Sequence, residues 1–108
     1  MVADMKRFEI YLVKLNPTIG SEIQKTRPCI IISPNEMNVL NTVIVAPMTS
    51  KGFDFVFRPK IKFEDRDGLV LLDQIRTVDK TRLVKKIGKL DKDTSKKISK
   101  MLVKIFEY

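Results

Sequence analysis

The 108 residues carry 21 Lys plus Arg against 13 Asp plus Glu, a net charge of +8, and 44% of them are hydrophobic. This excludes a chain too polar to fold, and no apolar run approaches the ~18 residues of a membrane span. Histidine is absent, which removes histidine acid/base catalysis, histidine metal ligation and a Ser-His-Asp triad.

In chain order the sequence reads as short strands followed by one helix. Phe8-Glu9-Ile10-Tyr11-Leu12-Val13-Lys14-Leu15 mixes alternation with β-branched and aromatic residues, a strand signature. Asn16-Pro17-Thr18-Ile19-Gly20-Ser21 ends it with turn residues, and the exposed connection runs on to about Lys25. Pro28-Cys29-Ile30-Ile31-Ile32-Ser33 is a continuous apolar run, suited to a strand covered on both faces. Thr42-Val43-Ile44-Val45-Ala46 predicts a third strand, stopped by Pro47. Phe53-Asp54-Phe55-Val56-Phe57 alternates and predicts a fourth, ended by Arg58-Pro59. Asp65-Arg66-Asp67-Gly68 reads as a turn feeding a strand at Leu69-Val70-Leu71-Leu72, and Arg82-Leu83-Val84 as a further short strand. Short strands at this spacing without intervening helices suggest a mainly β small barrel.

From Asp91 the period changes. Ile98, Met101, Leu102, Ile105 and Phe106 fall on one helical face, which predicts a C-terminal helix packed on the barrel with Asp91 as its N-cap. Lys92, Lys96, Lys100 and Lys104 recur every four residues on the opposite side. They read as the solvated face of an amphipathic helix in preference to a phosphate-binding stripe, because no aromatics interleave them. No repeat or linker divides the chain, so residues 1–108 are expected to form one domain. Residues 1–7 lack the apolar stretch of a signal peptide, and the lone Cys29 cannot form an internal disulfide; both point to the cytoplasm.

The charge is uneven. Residues 1–50 hold five basic and four acidic side chains, a net of +1, and residues 51–108 hold sixteen and nine, a net of +7. Such an excess suits an anionic partner, nucleic acid first, or simply solubility. Arg27 sits at a loop-to-strand boundary before Pro28. Its planar donor fork suits a phosphate clamp, and a salt bridge to Glu22 or Asp73 is the alternative. Thr49 and Ser50, followed by Lys51 and Gly52, can donate hydrogen bonds to an anion at a strand end, though Ser/Thr pairs are also ordinary turn residues. Asp73 and Gln74 close an apolar strand, and strand parity puts Asp73 on the face of Leu69 and Leu71, partly buried and paired or catalytic. Glu64, Asp65 and Asp67 suit a turn better than a metal site. Cys29, among isoleucines, reads as a core residue.

Taken together, three blocks are recognisable. Ile10-Tyr11-Leu12-Val13 with Asn16-Pro17-Thr18, Gly20-Ser21-Glu22 and Lys25-x-Arg27-Pro28 resembles the opening of the MazF/PemK toxins. Val45-Ala46-Pro47-Met48-Thr49-Ser50 and the run from Gly68 through Asp73-Gln74-Ile75-Arg76 to Arg82-Leu83 resemble that family's second and third blocks. The resemblance implies an SH3-like barrel with a terminal helix that acts as a homodimer. It also implies metal-independent cutting of single-stranded RNA, chiefly mRNA, with no cofactor, and inhibition by an acidic antitoxin. By motif, Arg27 and Thr49 match the family's catalytic pair. Glu22, Ser50 and Asp73 match substrate positions of some members, and Ser21, Gln74 and Lys51 flank them. Certain members use a histidine in the first loop and an arginine two residues before the aspartate. This chain has no histidine, and Leu71 holds the second place. A gyrase-poisoning toxin and a non-catalytic nucleic-acid-binding barrel of the same fold are the alternatives, neither requiring both Arg27 and Thr49. The segment 51–57 is the candidate reader of RNA sequence, with an ordinary hairpin as its alternative.

Overall fold

The computed structural model describes residues 5–53 and 55–108. Its strands are β1 (Glu9–Lys14), β2 (Thr26–Ile31), β3 (Thr42–Thr49), β4 (Lys60–Phe63), β5 (Arg66–Val70), β6 (Arg76–Asp79) and β7 (Leu83–Lys89), followed by the helix α1 (Lys92–Phe106). They form one antiparallel sheet in the order β4-β5-β3-β2-β1-β7, with β6 pairing β3 off that path. Two register shifts in the β1–β7 ladder, at Ile10/Tyr11 and Leu12/Val13, help curl the sheet into a half-barrel.

The curl explains the continuous apolar run of β2. Cys29 and Ile31 face one buried cluster with Tyr11, Val13, Leu15, Val43, Val45 and Val78. Ile30 and Ile32 face a second, made with Ile10, Ala46, Met48, Ile61, Val70, Leu72 and Ile98. Successive side chains point to opposite faces, so both faces of β2 are core. The second cluster seats α1, whose Met101, Leu102 and Ile105 pack partly buried against it. Asp91 caps the helix, its Oδ1 accepting the Thr94 N–H at 2.8 Å. Phe106 departs from the expected face: it lies in the last turn, 70% exposed.

Several boundaries differ from the sequence expectation. β3 passes through Pro47 and ends at Thr49. Its neighbour on one side changes there, from β6 at residues 42–45 to β5 at Met48 and Thr49, so proline's missing N–H falls where no ladder bond is required. The carbonyl of Pro47 still accepts the Leu71 N–H at 2.8 Å. No strand forms at 53–57 among the described residues, and Asp54 lies outside them. Phe53 and Phe55 are 69% and 49% exposed, with no buried face to reward their alternation.

The hairpin turn is Glu64-Asp65, both with positive φ (52° and 61°), earlier than Asp65–Gly68. β4 and β5 therefore pair as Lys60↔Leu69, Ile61↔Gly68, Lys62↔Asp67 and Phe63↔Arg66. β5 stops at Val70, and Leu72–Gln74 is a 3₁₀ turn, so strand parity does not govern Asp73. β6 goes unseen in the sequence reading, and the strand expected at Arg82-Leu83-Val84 begins at Leu83 and runs on to Lys89. No helix among the described residues is long and apolar enough to cross a membrane.

Candidate active site

Two β-strands bring the first-named residues together. The β2–β3 register pairs Cys29 with Pro47, so one further step of two residues sets Arg27 beside Thr49. Both line a cleft of about 530 Å³ together with Pro28, Met48 and Ser50. The β4–β5 hairpin forms the other wall and supplies Phe63, Glu64, Arg66, Asp67 and Gly68. Gly68 lies close against the strand end: a Cβ there would sit 3.4 Å from the Thr49 carbonyl oxygen, in ordinary contact.

Arg27 is half-buried, and its Nε donates to the Gln24 carbonyl at 3.1 Å. That bond fixes the plane of the guanidinium and leaves both Nη groups without a protein partner. Thr49 Oγ1 accepts the Lys51 N–H at 3.1 Å, so its hydroxyl hydrogen remains available to donate. The cleft can therefore present a forked cation and a hydroxyl donor to one anion. Arg66 adds a second guanidinium.

The other sequence candidates lie elsewhere. Glu22 is exposed in the β1–β2 connection, where Oε1 accepts the Ile19 N–H at 2.7 Å. Asp73 pairs with Arg58, Nε to Oδ1 at 2.9 Å and Nη2 to Oδ2 at 2.8 Å. The hydrogen bond from Arg58 outweighs partial burial and holds the Asp73 carboxyl below its ordinary range. Arg27 thus bridges to neither Glu22 nor Asp73. Gln74 is a tether: its Oε1 accepts the Ile23 N–H at 2.7 Å and its Nε2 donates to the Ser21 carbonyl at 3.4 Å. Ser21 joins the site only as that tether point, and Lys51 only through its backbone.

Further motif residues hold the same connection in place. Arg82 Nη1 donates to the carbonyls of Lys14 (3.0 Å) and Asn16 (2.6 Å), and Arg76 Nη1 to that of Leu15 (3.0 Å). Asn16 Oδ1 accepts the Lys25 N–H at 3.1 Å. Burial pushes the Cys29 thiol up to about 12 against the opposing pull of Arg76, so it stays protonated and is no nucleophile. Among the described residues no group of three Asp, Glu or Cys side chains is placed to hold a metal ion.

Arg66, Glu64, Asp67 and Phe63 are the cleft residues that sequence reasoning missed. Pairing Lys60-Ile61-Lys62-Phe63 with residues 66–69 around Glu64-Asp65 would have placed Arg66 beside the cleft.

Comparison with known proteins agrees with this architecture. A Bacillus subtilis (strain 168) protein named endoribonuclease EndoA is 33% identical over 105 residues, spanning 91% of this chain and 90% of the relative. The crystal structure of MazF from Deinococcus radiodurans superposes with a TM-score of 0.85 at 20% identity, over 97% of this chain and 98% of that one. A mycobacterial endoribonuclease solved with its cognate antitoxin gives 0.77 at 22% identity, over 93% and 92%. Residues 6–106 match the family described as PemK-like, MazF-like toxins of type II toxin–antitoxin systems, and the chain belongs to that family.

Proposed function

We propose that this chain is an endoribonuclease toxin that cuts single-stranded RNA, chiefly mRNA, without a metal ion. The observation that carries the reading is the convergence of Arg27 and Thr49 on one cleft, each with donors left over for an anion. RNA contains its own nucleophile, so the protein needs to hold the 2′-oxygen in line with the 5′-oxygen and stabilise the charge that builds on phosphorus. In this reading the Arg27 fork and the Thr49 hydroxyl donate to the non-bridging oxygens. The 2′-oxygen bonds to phosphorus as the P–O5′ bond breaks, giving a 2′,3′-cyclic phosphate and a 5′-OH.

Two protons must move. Arginine stays protonated, which makes Arg27 a poor base. Glu22 and Asp73 are engaged outside the cleft. Glu64 and Asp67 line it, so the reading assigns the 2′-OH proton to a hairpin carboxylate, and the leaving 5′-oxygen takes its proton from solvent water. The exposed rings of Phe53 and Phe55, with Arg58 stacked 5.0 Å from the Phe53 centroid, give segment 51–57 the surfaces to hold unstacked bases.

An acidic antitoxin segment and a homodimer complete the proposal. A net charge of +8 favours the first. The exposed Met37, Val39 and Leu40 on one 3₁₀ turn favour self-association. The test is incubation with a long RNA in EDTA, followed by end mapping. The reading requires discrete cuts with cyclic-phosphate and 5′-OH ends. Activity abolished by EDTA and restored by Mg²⁺ would refute it.

A further inference from the structure

The molecule has a second cleft, of about 660 Å³, that shares no residue with the Arg27–Thr49 cleft. One wall is α1, which supplies Lys92, Lys96 and Lys100. The other is the end of β7, with Lys86 and Lys89, and the segment before β1 adds Lys6 and Arg7. Among the described residues Glu9 is the one acidic side chain lining it. It is largely spent within the protein: Oε2 accepts from Lys86 Nζ at 2.7 Å, and Oε1 accepts the Lys6 N–H at 2.9 Å. Among the described residues Lys89, Lys92, Lys96 and Lys100 have no carboxylate partner.

The helical lysine stripe is thus more than a solvated face. Three of its four members turn one side of a concave, cationic trough, while Lys104 pairs instead with Glu107 at 3.4 Å. The floor is apolar, made by Phe8 and Leu90 with the lysine stems. Phe8 holds a positive φ of 72°, fixed by its N–H to the Ile31 carbonyl and by the Leu90 N–H to its own carbonyl. The Arg7 guanidinium lies 5.0 Å from the centre of its ring. An apolar floor under a cationic rim, of which Lys89, Lys92, Lys96 and Lys100 have no carboxylate partner among the described residues, suits single-stranded nucleic acid, whose bases need a surface and whose phosphates need charge. An acidic polypeptide would use the rim and leave the floor idle.

The two clefts are neighbours. Phe63 lines the first, and its ring packs on Gly88, where a Cβ would fall 2.8 Å from Cε1. Gly88 lies between Lys86 and Lys89 of the second. We propose that the α1–β7 trough holds the part of the RNA strand flanking the scissile site, a binding track continuous past Phe63 with the cleavage cleft. The proposal rests on the endoribonuclease reading for its substrate.

The test compares the wild-type protein with a triple variant, Lys92→Gln, Lys96→Gln and Lys100→Gln, all exposed positions whose change spares the core. Binding to uncleavable, 2′-deoxy-substituted strands is followed by fluorescence anisotropy across a salt series. For a long single strand the triple variant should bind roughly tenfold more weakly, with a salt slope shallower by about 2, three lost phosphate contacts at ~0.7 each. A short oligonucleotide spanning only the cleavage site should bind both proteins alike, and the cleavage rate of that oligonucleotide should be unchanged. Equal loss on both lengths, or no loss on the long strand, overturns the track. So does a result in which polyglutamate loses affinity for the variant while the long RNA does not. A wild-type protein that cuts no RNA would sink the endoribonuclease reading separately, with the anisotropy series still deciding the trough.

Discussion

Arg58 and Asp73 meet as parallel forks, two hydrogen bonds of 2.9 and 2.8 Å joining the start of the β4 arm to the 3₁₀ turn after β5. The same guanidinium lies over the Phe53 ring, so one ion pair ties segment 51–57 to the sheet. Because the Asp73 carboxyl is held below its ordinary range, chiefly by Arg58, the pair adds stability above the unfolded-chain value near ~4. That contribution fades as pH falls through the lowered folded value. Asp73→Asn should therefore cost about 1 kcal/mol or less at neutral pH, as expected for a partly exposed pair. The gap from wild type in urea midpoint should close in acid. A gap that is constant from pH 7 to 3 would contradict this.

Arg27→Ala and Thr49→Ala should each lower single-turnover cleavage by roughly 100- to 1,000-fold, the usual cost of losing one donor to a charged transition state. Arg27→Lys should recover little, since an ammonium keeps the charge and loses the fork. Thermal melts should be close to wild type, because neither side chain belongs to a buried cluster. Wild-type rates in both alanine variants would remove these residues from the chemistry.

The carboxylates separate by position. Glu64→Gln and Asp67→Asn, made singly, should show one variant with kcat reduced on the order of 100-fold or more. Glu22→Gln should change kcat by less than about tenfold, because Glu22 does no more than accept the Ile19 N–H. A large kcat loss confined to Glu22→Gln would move the base into the β1–β2 connection.

Legibility in the sequence followed local signal strength. Arg27 and Thr49 stand out because each ends an apolar strand beside proline or turn chemistry, and strand ends are where side chains reach a cleft. Arg66 was hidden because Glu64-Asp65 makes a tight turn with neither glycine nor asparagine, so Asp67-Gly68 drew the turn two residues too late and put Arg66 inside it. Residues 53–57 alternate in sequence as a strand should, yet among the described residues no strand pairs with Phe53, Phe55, Val56 or Phe57. Asp73 was misplaced because the apolar run continues through Leu71 and Leu72 after pairing has stopped at Val70. The trough was invisible for another reason: Lys92, Lys96 and Lys100 look solvated until Lys86 and Lys89 are set opposite them.

Gly88→Ala offers a structural check on the wall between the clefts. The added methyl would lie 2.8 and 3.2 Å from Cε1 and Cζ of Phe63, so the ring must move. Stability should fall by about 1–3 kcal/mol, the usual cost of overpacking. Phe63 lines the cleavage cleft, so KM for RNA should rise as well. A companion change, Phe63→Leu in the Gly88→Ala background, should restore part of the stability. If Gly88→Ala melts like wild type, the ring has room that the structure denies it.

β3 is bonded to β2, β5 and β6, more neighbours than any other strand has, and it ends at Thr49. Local opening of the edge strands β4 and β7 leaves those ladders intact, whereas freeing β3 dismantles both sides of the sheet at once. In amide exchange its protected amides should be among the slowest in the molecule. The proposed cutting site is hung from this shared strand, so a molecule frayed at its margins should still carry Thr49 on an ordered rung.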